Sequence, residues 1–474
     1  MTTLEDLKKK TYELLEQTKA NKAKKKSNDF EENWSDVSTE KQYETICQVI
    51  KKGWHFPTIS LANLLKHKAR IELENKDFKE AALTLLQSQA LSVRHQALHE
   101  YTKRFLSDET NEVAGMQHSA LAFYKDNKEN NHVLDLIKKL PKGWTIVQLS
   151  INDSHMTSRF KKTPGDKAIP TNFPLRLVTI ESGTESLFVH EIPAVPISDK
   201  MPSFQQELQK IMEIHALLYK KDGEKKKFLE TREELDDRMK NLTFNIENKW
   251  LGYSKVLLLG ESENESEIAK QCQMLQEKYF AEDESFISSG RKKLLHKVID
   301  GFSYLNPRQR EKAVAQLTSE DKNQEELLRE LKKIGKANLW EASPRKPTVL
   351  ILDKELQGLP WESIDCLAGH SVSRVPSIHQ LALLYLTHSS DSQSVPMTGI
   401  RQDKIYYVVN PDQDLPKTQA ALEPTLESMN IRDGVAGEQP SGTEVKRALS
   451  SMDAFMYCGK TILSANLKKK IRLG

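Results

Sequence analysis

Cysteine is scarce in this chain of 474 residues. Its four cysteines are Cys47, Cys272, Cys366 and Cys458, and no two of them stand in a Cys-x-x-Cys pair. Disulfide frameworks and the common cysteine-based zinc sites need closely spaced cysteines, so the sequence excludes both classes. The scarcity predicts a protein of a reducing compartment.

Long apolar runs and a strong excess of one charge are also missing. No run approaches the ~18 apolar residues that span a bilayer, and the first residues, MTTLEDLKKK, lack the apolar region of a secretory signal. Lys plus Arg number 70 against 67 Asp plus Glu, a net charge of +3, and wrapping nucleic acid needs a larger basic excess. We therefore expect a soluble intracellular protein with no membrane partner and no direct sequence-specific nucleic-acid binding.

The first 140 residues have a helical pattern. Two amphipathic stretches flank Asn75-Lys76-Asp77, whose residues favour a turn, and the phrase LENKDFKEAALTLL resembles one tetratricopeptide unit. Residues 1–140 are thus expected to form a helical arm, the end of a possible α-solenoid. The basic cluster Lys19–Lys26 is either a solvated helix end or a nuclear-import or anionic-surface patch, and the sequence leaves both open.

Residues 141–345 combine strands with long helices. After Pro141-Lys142-Gly143, four apolar segments predict strands: TIVQLSI (145–151), LRLVTI (175–180), SLFVHEI (186–192) and KVLLLG (255–260). A charged helical block is expected from about Phe204 to Lys249, with a break at KKDGEKKK (220–227). Strands that alternate with helices predict an α/β domain.

Beyond residue 346 the strand signals become stronger. Three apolar segments predict strands: TVLIL (348–352), KIYYVV (404–409) and AFMYC (454–458). Between the last two, GTEVKRALSSM (442–452) predicts a short helix with Thr443 as a possible cap. A strand, a helix and a strand at this spacing predict a parallel crossover.

Four phrases of the C-terminal third carry a family resemblance. They are LILDKELQGLPWESI (350–364), SVSRVPSIHQL (371–381), YYVVNPDQDLPKTQ (406–419) and VAGEQPSG (435–442) followed by MDAFMYCG (452–459). In this order they resemble the protease region of the separases, the cysteine endopeptidases that open cohesin at anaphase. The segment DRMKNLTFNIENKWLGYSKVLLLG (237–260) is similar to the pseudo-protease domain of that family.

The resemblance implies an α/β fold with three parts after the arm. These are a pseudo-protease or substrate-binding α/β domain with a helical insertion (141–345), the N-terminal part of a caspase-like α/β protease domain (346–459) and a basic tail unlike the family (460–474). The residues that match family motifs are Pro360, Trp361, Glu362, Arg374, Pro376, Asn410, Pro411, Tyr457 and Gly459.

The catalytic residues of the family do not appear in the printed sequence. The resemblance places a His after Tyr457-Cys458-Gly459, where this chain has Lys460, and no Gly-Cys-Ser phrase with the nucleophilic Cys occurs. An imidazole must hold the reactive thiolate, and a protonated Lys offers no acceptor for that purpose. We expect a separase chain that is truncated within its protease domain and inactive as written, without a cofactor or a metal.

The resemblance also implies substrates, partners and a location. Separases cleave the kleisin subunit of cohesin after Arg in Glu-x-x-Arg, bind a securin-type inhibitor, and work in the cytoplasm and in the nucleus on chromatin and the spindle. Two such strings, Glu326 to Arg329 and Glu444 to Arg447, lie on predicted helices and are expected to occur by chance.

Three interpretations of the break at Lys460 remain. The first is a partial or misread gene model of an active separase. The second is a natural non-catalytic isoform that binds securin or substrate. The third is a helical scaffold with a decayed protease domain. It predicts that the sequence departs from the family motifs throughout 346–459, whereas the motif phrases are intact there.

Several other side chains have a functional and a structural interpretation. Cys458 is expected to pack as a small apolar residue in a strand. His379 is expected to be structural, and His95 and His99 to be exposed, because no third metal ligand accompanies them. Asp353 and Glu362 could each orient a loop or partner, or form a structural hydrogen bond, and the sequence does not decide.

Overall fold

The fold comprises two compact units. The computed structural model describes residues 38–53, 59–106, 118–123, 127–152, 171–198, 201–218, 225–281, 290–318, 321–337, 344–389, 392 and 394–459. The described residues up to Ala382 pack together as unit 1, and those from Leu383 onward pack together as unit 2. Within these ranges no helix is both long and apolar enough to span a membrane.

A helical arm begins unit 1. Its helices are α1 (Thr39–Gly53), α2 (Ile59–Glu74), α3 (Phe78–Gln87), α4 (Leu91–Leu106) and α5 (Asn127–Lys139). Between α2 and α3, Lys76 has a φ of 67° and the Asp77 amide donates to the Glu72 carbonyl oxygen at 2.8 Å. The predicted hairpin is confirmed, whereas the Lys19–Lys26 cluster lies outside the described residues.

A five-stranded sheet forms the centre of unit 1. The strands of this unit are β1 (Thr145–Ile151), β2 (Thr171–Asn172), β3 (Leu175–Glu181), β4 (Leu187–Ile192), β5 (Val195–Pro196), β6 (Thr348–Leu352) and β7 (Val372–Arg374). The sheet order is β4-β3-β1-β6-β7, and β2 pairs separately with β5. The strands predicted at 145–151, 175–180, 186–192 and 348–352 are confirmed.

Parallel pairing brings three strand ends to one edge of this sheet. β1 pairs in parallel with β6, so that Leu149 lies opposite Leu352, and β6 pairs in parallel with β7. β3 and β4 continue the sheet in antiparallel fashion on the other side of β1. The carboxyl ends of β1, β6 and β7 therefore lie along the same edge.

Helices pack beside this sheet and enclose the main apolar core. They are α6 (Phe204–Leu218), α7 (Lys225–Asn245), α8 (Glu265–Tyr279), α9 (Arg291–Asp300), α10 (Pro307–Leu317) and α11 (Asp321–Ala337). The core draws Val147, Leu149 and Ile151 from one face of β1, together with Trp250 and Trp361. Every second residue of β1 thus faces the main core, and the residues between them face the opposite side of the sheet.

The strand predicted at 255–260 is wrong. A π-helical turn, Ile246–Leu251, runs directly into a 3₁₀-helix, Gly252–Leu258, at Gly252 with a φ of 58°. Lys255 turns back to donate to Glu247 Oε1 at 2.9 Å. A short, fully buried apolar run has no periodicity that separates a strand from a helical segment, and here the helical alternative holds.

Unit 2 has a parallel sheet of its own. After α12 (Ile378–Ser389), whose first residues belong to unit 1, come α13 (Val395–Thr398), β8 (Ile405–Val409), α14 (Pro416–Ser428), β9 (Asp433–Ala436), α15 (Gly442–Ser451) and β10 (Ala454–Cys458). The order is β10-β8-β9 and both pairings are parallel. The predicted strands, the helix and the parallel crossover are confirmed. Residues of α14 and α15 pack on the strands in separate apolar clusters.

The cap of α15 differs from the prediction. Ser441, not Thr443, is the N-cap: its hydroxyl accepts from the Glu444 amide at 3.2 Å, and Glu444 Oε2 accepts from the Ser441 amide at 2.7 Å. Thr443 lies within the first turn, where its backbone is already helical. The capping box thus starts two residues before the predicted cap.

The predicted domain boundary at 345/346 stays a prediction. The compact units divide at 382/383, and β6 belongs to the sheet of unit 1. The predicted boundary comes from the two prolines of SPRKP (343–347) and from the family motifs that follow it, whereas the compact units come from packing, so the two divisions need not coincide.

Candidate functional site

The candidate site is the carboxyl edge of the parallel sheet in unit 2. Val409 lies opposite Cys458 on one side and Ala436 on the other, so all three strands end at the same level. In open α/β sheets, ligands bind outside the carboxyl ends of the strands. Three of the motif residues, Asn410, Tyr457 and Gly459, lie at this edge.

Asn410 joins the end of β8 to β10 and α14. Its amide donates to the carbonyl oxygen of Cys458 at 2.8 Å. Its side-chain Oδ1 accepts from the Leu415 amide at 2.7 Å, and its Nδ2 donates to Gln419 Oε1 at 2.8 Å. The φ of 52° places Asn410 in the left-handed region, which Asn tolerates better than most residues. The carbonyl two residues before position 460 is thereby fixed.

The loops after β8 and β9 are joined to each other. Gln413, whose φ is 59°, donates from Nε2 to the carbonyl oxygen of Gly437 at 2.8 Å. Gln439 Nε2 donates to Asp412 Oδ1 at 2.6 Å. Left-handed backbone at a bulky residue such as Gln413 persists only where surrounding bonds hold it, and such residues cluster at functional sites.

The electrostatics of this edge are acidic. Asp412, Asp414 and Glu438 are exposed in the two loops. Burial of the Tyr457 phenol, together with the carboxylates of Asp412 and Asp414, raises the pKa of Tyr457. A Cβ at position 459 would lie 2.6 Å from the Tyr457 hydroxyl oxygen, so a larger residue there would require the Tyr457 side chain to move. The described side chains of the two loops at this edge therefore carry an excess of negative charge.

Two of the described cysteines, Cys272 and Cys366, do not supply an activated thiol. Cys272 and Cys366 are buried, and burial raises the pKa of the Cys272 thiol to about 11 and raises that of Cys366 as well. Cys458 is half-buried and packs beside Val409, Leu426 and Ile431. Position 460, where a His was expected, lies outside the described residues.

Two motif residues of unit 1 form a bidentate ion pair. Arg374 donates from Nε and Nη2 to the two carboxylate oxygens of Glu362, and it also donates to the carbonyl oxygens of Gln357 and Leu359. The Arg374 guanidinium lowers the pKa of Glu362. The pair closes the loop of residues 357–362 against the end of β7.

The remaining motif residues surround this loop and the sheet ends. Trp361 is fully buried and donates from Nε1 to the Leu356 carbonyl oxygen at 2.8 Å. Pro360 precedes the short 3₁₀-helix Trp361–Ser363, and the exposed Pro376 stands between β7 and α12. Pro411 is buried directly after Asn410. The structure therefore groups the motif residues into two sets, one in each unit.

Asp353 forms buried structural bonds. At the end of β6 it accepts from Lys66 Nζ, from Gln89 Nε2 and from the Ile151 amide, each at 2.6 Å. Of the two interpretations that the sequence left open for Asp353, the structural one is observed. Lys66 and Gln89 carry no signal in the sequence that would pair them with a carboxylate in a distant strand.

His379 lies in a buried ionic cluster. Its Nε2 is 3.5 Å from Glu129 Oε1, and the same oxygen accepts from Arg94 Nη1 at 2.7 Å. Burial opposes ionisation of Glu129, but contacts with His379 and Arg94 lower its pKa to about 2. Burial and the Arg94 charge lower the pKa of His379 to about 3. His379 is thus enclosed in the interior, as expected for a structural side chain.

The other sequence candidates lie on helices. His95 and His99 are exposed on α4, as predicted. The strings Glu326–Arg329 and Glu444–Arg447 lie on α11 and α15, as predicted, and Arg447 is held by Asp433 at 2.8 Å. Among the residues that the structure describes, no group of three or more His, Cys, Asp or Glu side chains could hold a metal ion.

Comparison with known proteins finds a family model and relatives that carry the same family name. The family model "Separin, protease domain" matches residues 171–461. The separin of Mus musculus is 30% identical over 301 residues, covering 60% of this chain and 14% of the mouse protein. The separin of Schizosaccharomyces pombe is 26% identical over 361 residues, covering 69% of this chain and 18% of the S. pombe protein. The separin of Emericella nidulans is 27% identical over 362 residues, covering 68% of this chain and 16% of the E. nidulans protein.

A solved structure shares the fold. The crystal structure of the Saccharomyces cerevisiae separase–securin complex at 3.0 Å matches with a TM-score of 0.52 and 13% identity, covering 88% of this chain and 32% of that chain. The chain spans between 14% and 18% of the length of the curated relatives described above. The family match thus concerns one region of much longer proteins.

Proposed function

Because this chain belongs to the separin, or separase, family, we propose that it carries the pseudo-protease region and the first part of the protease domain of a separase. The full enzyme would be a cysteine endopeptidase that cleaves the kleisin subunit of cohesin after Arg in Glu-x-x-Arg and so triggers sister chromatid separation. The family match over 171–461 supports this assignment. We also propose, from the family, a location in the cytoplasm and in the nucleus on chromatin and the spindle.

The observation that carries the proposal is the geometry of the unit 2 edge. The Asn410 amide fixes the Cys458 carbonyl, and position 460, where separases carry the catalytic His, is two residues further along the chain. The acidic side chains Asp412, Asp414 and Glu438 suit a substrate with a basic residue at the cleaved bond. In this proposal the described residues frame the site and orient the strand end that leads into it.

We propose that a chain of the printed sequence, by itself, does not cleave peptides. Position 460 is Lys, and the sequence holds no Gly-Cys-Ser phrase. Without a thiolate there is no nucleophile, and a protonated ammonium cannot act as the base that a thiol requires. The buried, protonated thiols of Cys272 and Cys366 offer no substitute.

Peptide cleavage tests this proposal. The purified chain is incubated with a Glu-x-x-Arg peptide and with a matched peptide in which Arg is replaced by Glu. We expect no turnover above buffer for either. Lys460→His is the control variant and is also expected to remain inactive, because an imidazole without a nucleophile cannot form the acyl-enzyme. Turnover of the Arg peptide alone that a thiol-directed inhibitor stops would contradict the proposal.

A second candidate function is a non-catalytic binding module. The solved relative is a complex of separase with securin, which favours a securin-type inhibitor as a partner of this chain too. Substrate elements outside the cleavage site are a further class of partner. Such a module would compete with the active enzyme for its inhibitor or its substrate.

Long-read sequencing of the transcript distinguishes the two functions. The informative codons are those for Gly459 and Lys460. A dominant message that reads Gly-His-Gly after Cys458 and then Gly-Cys-Ser would support an active separase. A message that reads as printed would support the binding module, and binding of the purified chain to securin would then be measured.

A further inference from the structure

The carboxyl edge of the unit 1 sheet is occupied by the helical arm. This edge, where β1 and β6 end side by side, is the place at which parallel sheets commonly bind ligands. Here Lys66 of α2 reaches into it and donates from Nζ to Asp353 Oδ2 at 2.6 Å. Gln89, which follows α3, donates to Asp353 Oδ1 at 2.6 Å. The arm thus supplies both side-chain partners of the carboxylate.

A chain of hydrogen bonds extends from this pair across the sheet. Gln89 also donates to Ser150 Oγ at 3.0 Å, on the face of β1 opposite the main apolar core. On the other side, the Lys66 carbonyl oxygen accepts from Arg176 Nη1 at 3.2 Å, and Arg176 pairs with Glu191 at 3.0 Å. The arm is therefore bonded to strands β1 and β3 and to the end of β6 directly, and to β4 through the Arg176 side chain.

The Lys66–Asp353 pair is nearly withdrawn from water. The two side chains are 12% and 7% exposed, whereas a second arm-to-sheet pair, Lys79–Glu185, is 53% and 52% exposed. Desolvation of a buried pair offsets much of its attraction, but removal of one partner leaves an uncompensated buried charge. An exposed pair is worth little in either case. Glu185 also pairs with Lys138 at 2.8 Å, so the loss of Lys79 leaves no buried charge without a partner, and Lys79–Glu185 serves as the exposed control.

We propose that Lys66 and Asp353 form a latch that holds the arm over the carboxyl edge of the unit 1 sheet. In the closed state Lys66 neutralises Asp353, and Asp353 in turn accepts from the Ile151 amide at the end of β1 at 2.6 Å. When Lys66 is withdrawn, α2 loosens and the edge becomes accessible, while β3 and the helices of the main core keep their structure. The latch lies wholly within unit 1 and is independent of the proposed protease function.

Hydrogen exchange of the 474-residue chain, read by mass spectrometry, tests the latch. We expect Lys66→Met and Asp353→Asn to accelerate exchange at least about tenfold in α2 and at the end of β1. The first variant leaves the Asp353 carboxylate without its lysine, and the second leaves the Lys66 ammonium without its carboxylate. Exchange in β3 and α10 should stay unchanged. Lys66→Arg, which keeps the charge, should restore protection to within about twofold, and the control Lys79→Met should match the native chain.

Two outcomes would overturn the latch. One is exchange in Lys66→Met that equals that of Lys79→Met throughout α2. The other is equal acceleration of α2, β3 and α10 in Lys66→Met, which would make the pair an ordinary part of a single cooperative core. If Asp353→Asn does not fold, the comparison of Lys66→Met with Lys66→Arg decides, since Met and Arg both keep the long stem of the side chain.

Discussion

Asn410 combines a strained backbone with bonds to three neighbours. Its φ of 52° costs free energy, and the bonds to Leu415, Gln419 and Cys458 offset that cost. Through its bond to the Cys458 carbonyl oxygen, such a residue holds the end of β10 in one position. Asn430 is also left-handed, with a φ of 60°, but is exposed and lies outside the sheet.

We predict that Asn410→Ala lowers the free energy of unfolding by about 2–3 kcal/mol, through loss of the side-chain bonds and an alanine in the left-handed region. Asn410→Gly should cost less, because glycine relieves the backbone strain. Asn430→Ala is the control and should cost about 1 kcal/mol. Urea denaturation of the chain measures all three, and equal losses at positions 410 and 430 would refute the special role of Asn410.

Glu129 makes stability depend on acid pH. Its folded-state pKa of about 2 lies below the ordinary value of 4.5, so the ionised carboxylate stabilises the fold above about pH 4.5, and this contribution is lost as the pH falls toward 2. Glu129→Gln should cost about 3 kcal/mol at pH 7, because Arg94 keeps a buried, unneutralised charge. The difference from the native chain should shrink between pH 4.5 and 2.

Denaturation at a series of pH values measures this difference. Glu185→Gln is the matched control, since Glu185 is paired with Lys79 and Lys138 but is exposed, and no measurable change is expected. A difference between Glu129→Gln and the native chain that does not vary with pH would contradict the assignment of the low pKa to Glu129.

At the scale of elements, the strands were predictable and one apolar segment was not. Segments 145–151 and 348–352 are β-branched, short and bounded by turn residues, and these local features suffice for strands in the centre of a sheet. Segment 255–260 is also short, apolar and ended by Gly, but Val256 is its only β-branched residue, and its residues up to Leu258 belong to a 3₁₀-helix. The π-helical turn before Gly252 and the Lys255–Glu247 bond hold this segment in place. Composition indicates burial and leaves the conformation open.

The helix α15 illustrates the same limit at its first turn. Ser441→Ala should lower the free energy of unfolding by about 1 kcal/mol, since it removes the acceptor for the Glu444 amide. Thr443→Ala, at the position that the sequence favoured as a cap, should cost only a few tenths, because its hydroxyl caps no amide at that turn. Urea denaturation decides, and a larger loss for Thr443→Ala would show that the cap is misassigned.

At the scale of the whole molecule, the family resemblance and the three-dimensional structure give different information. The order of the motif phrases identified the family, and the protease-domain match over 171–461 agrees with that identification. The motifs did not indicate that Asp353 would meet Lys66, 287 residues earlier in the chain, or that Arg94, Glu129 and His379 would share one buried cluster. Those interactions anchor the arm and the start of α12 within unit 1.

The sequence by itself determined the strands at 145–151, 175–180, 186–192, 348–352, 404–409 and 454–458, the helical hairpin, the motif order and the residue at position 460, because each of these depends on neighbouring residues or on chain order alone. Only the tertiary structure decided the strand order β4-β3-β1-β6-β7, the conformation of 252–258 and the partners of Asp353 and Glu129. A buried charge is stable only next to a group of opposite charge, and the folded structure can supply that group from any distance along the sequence.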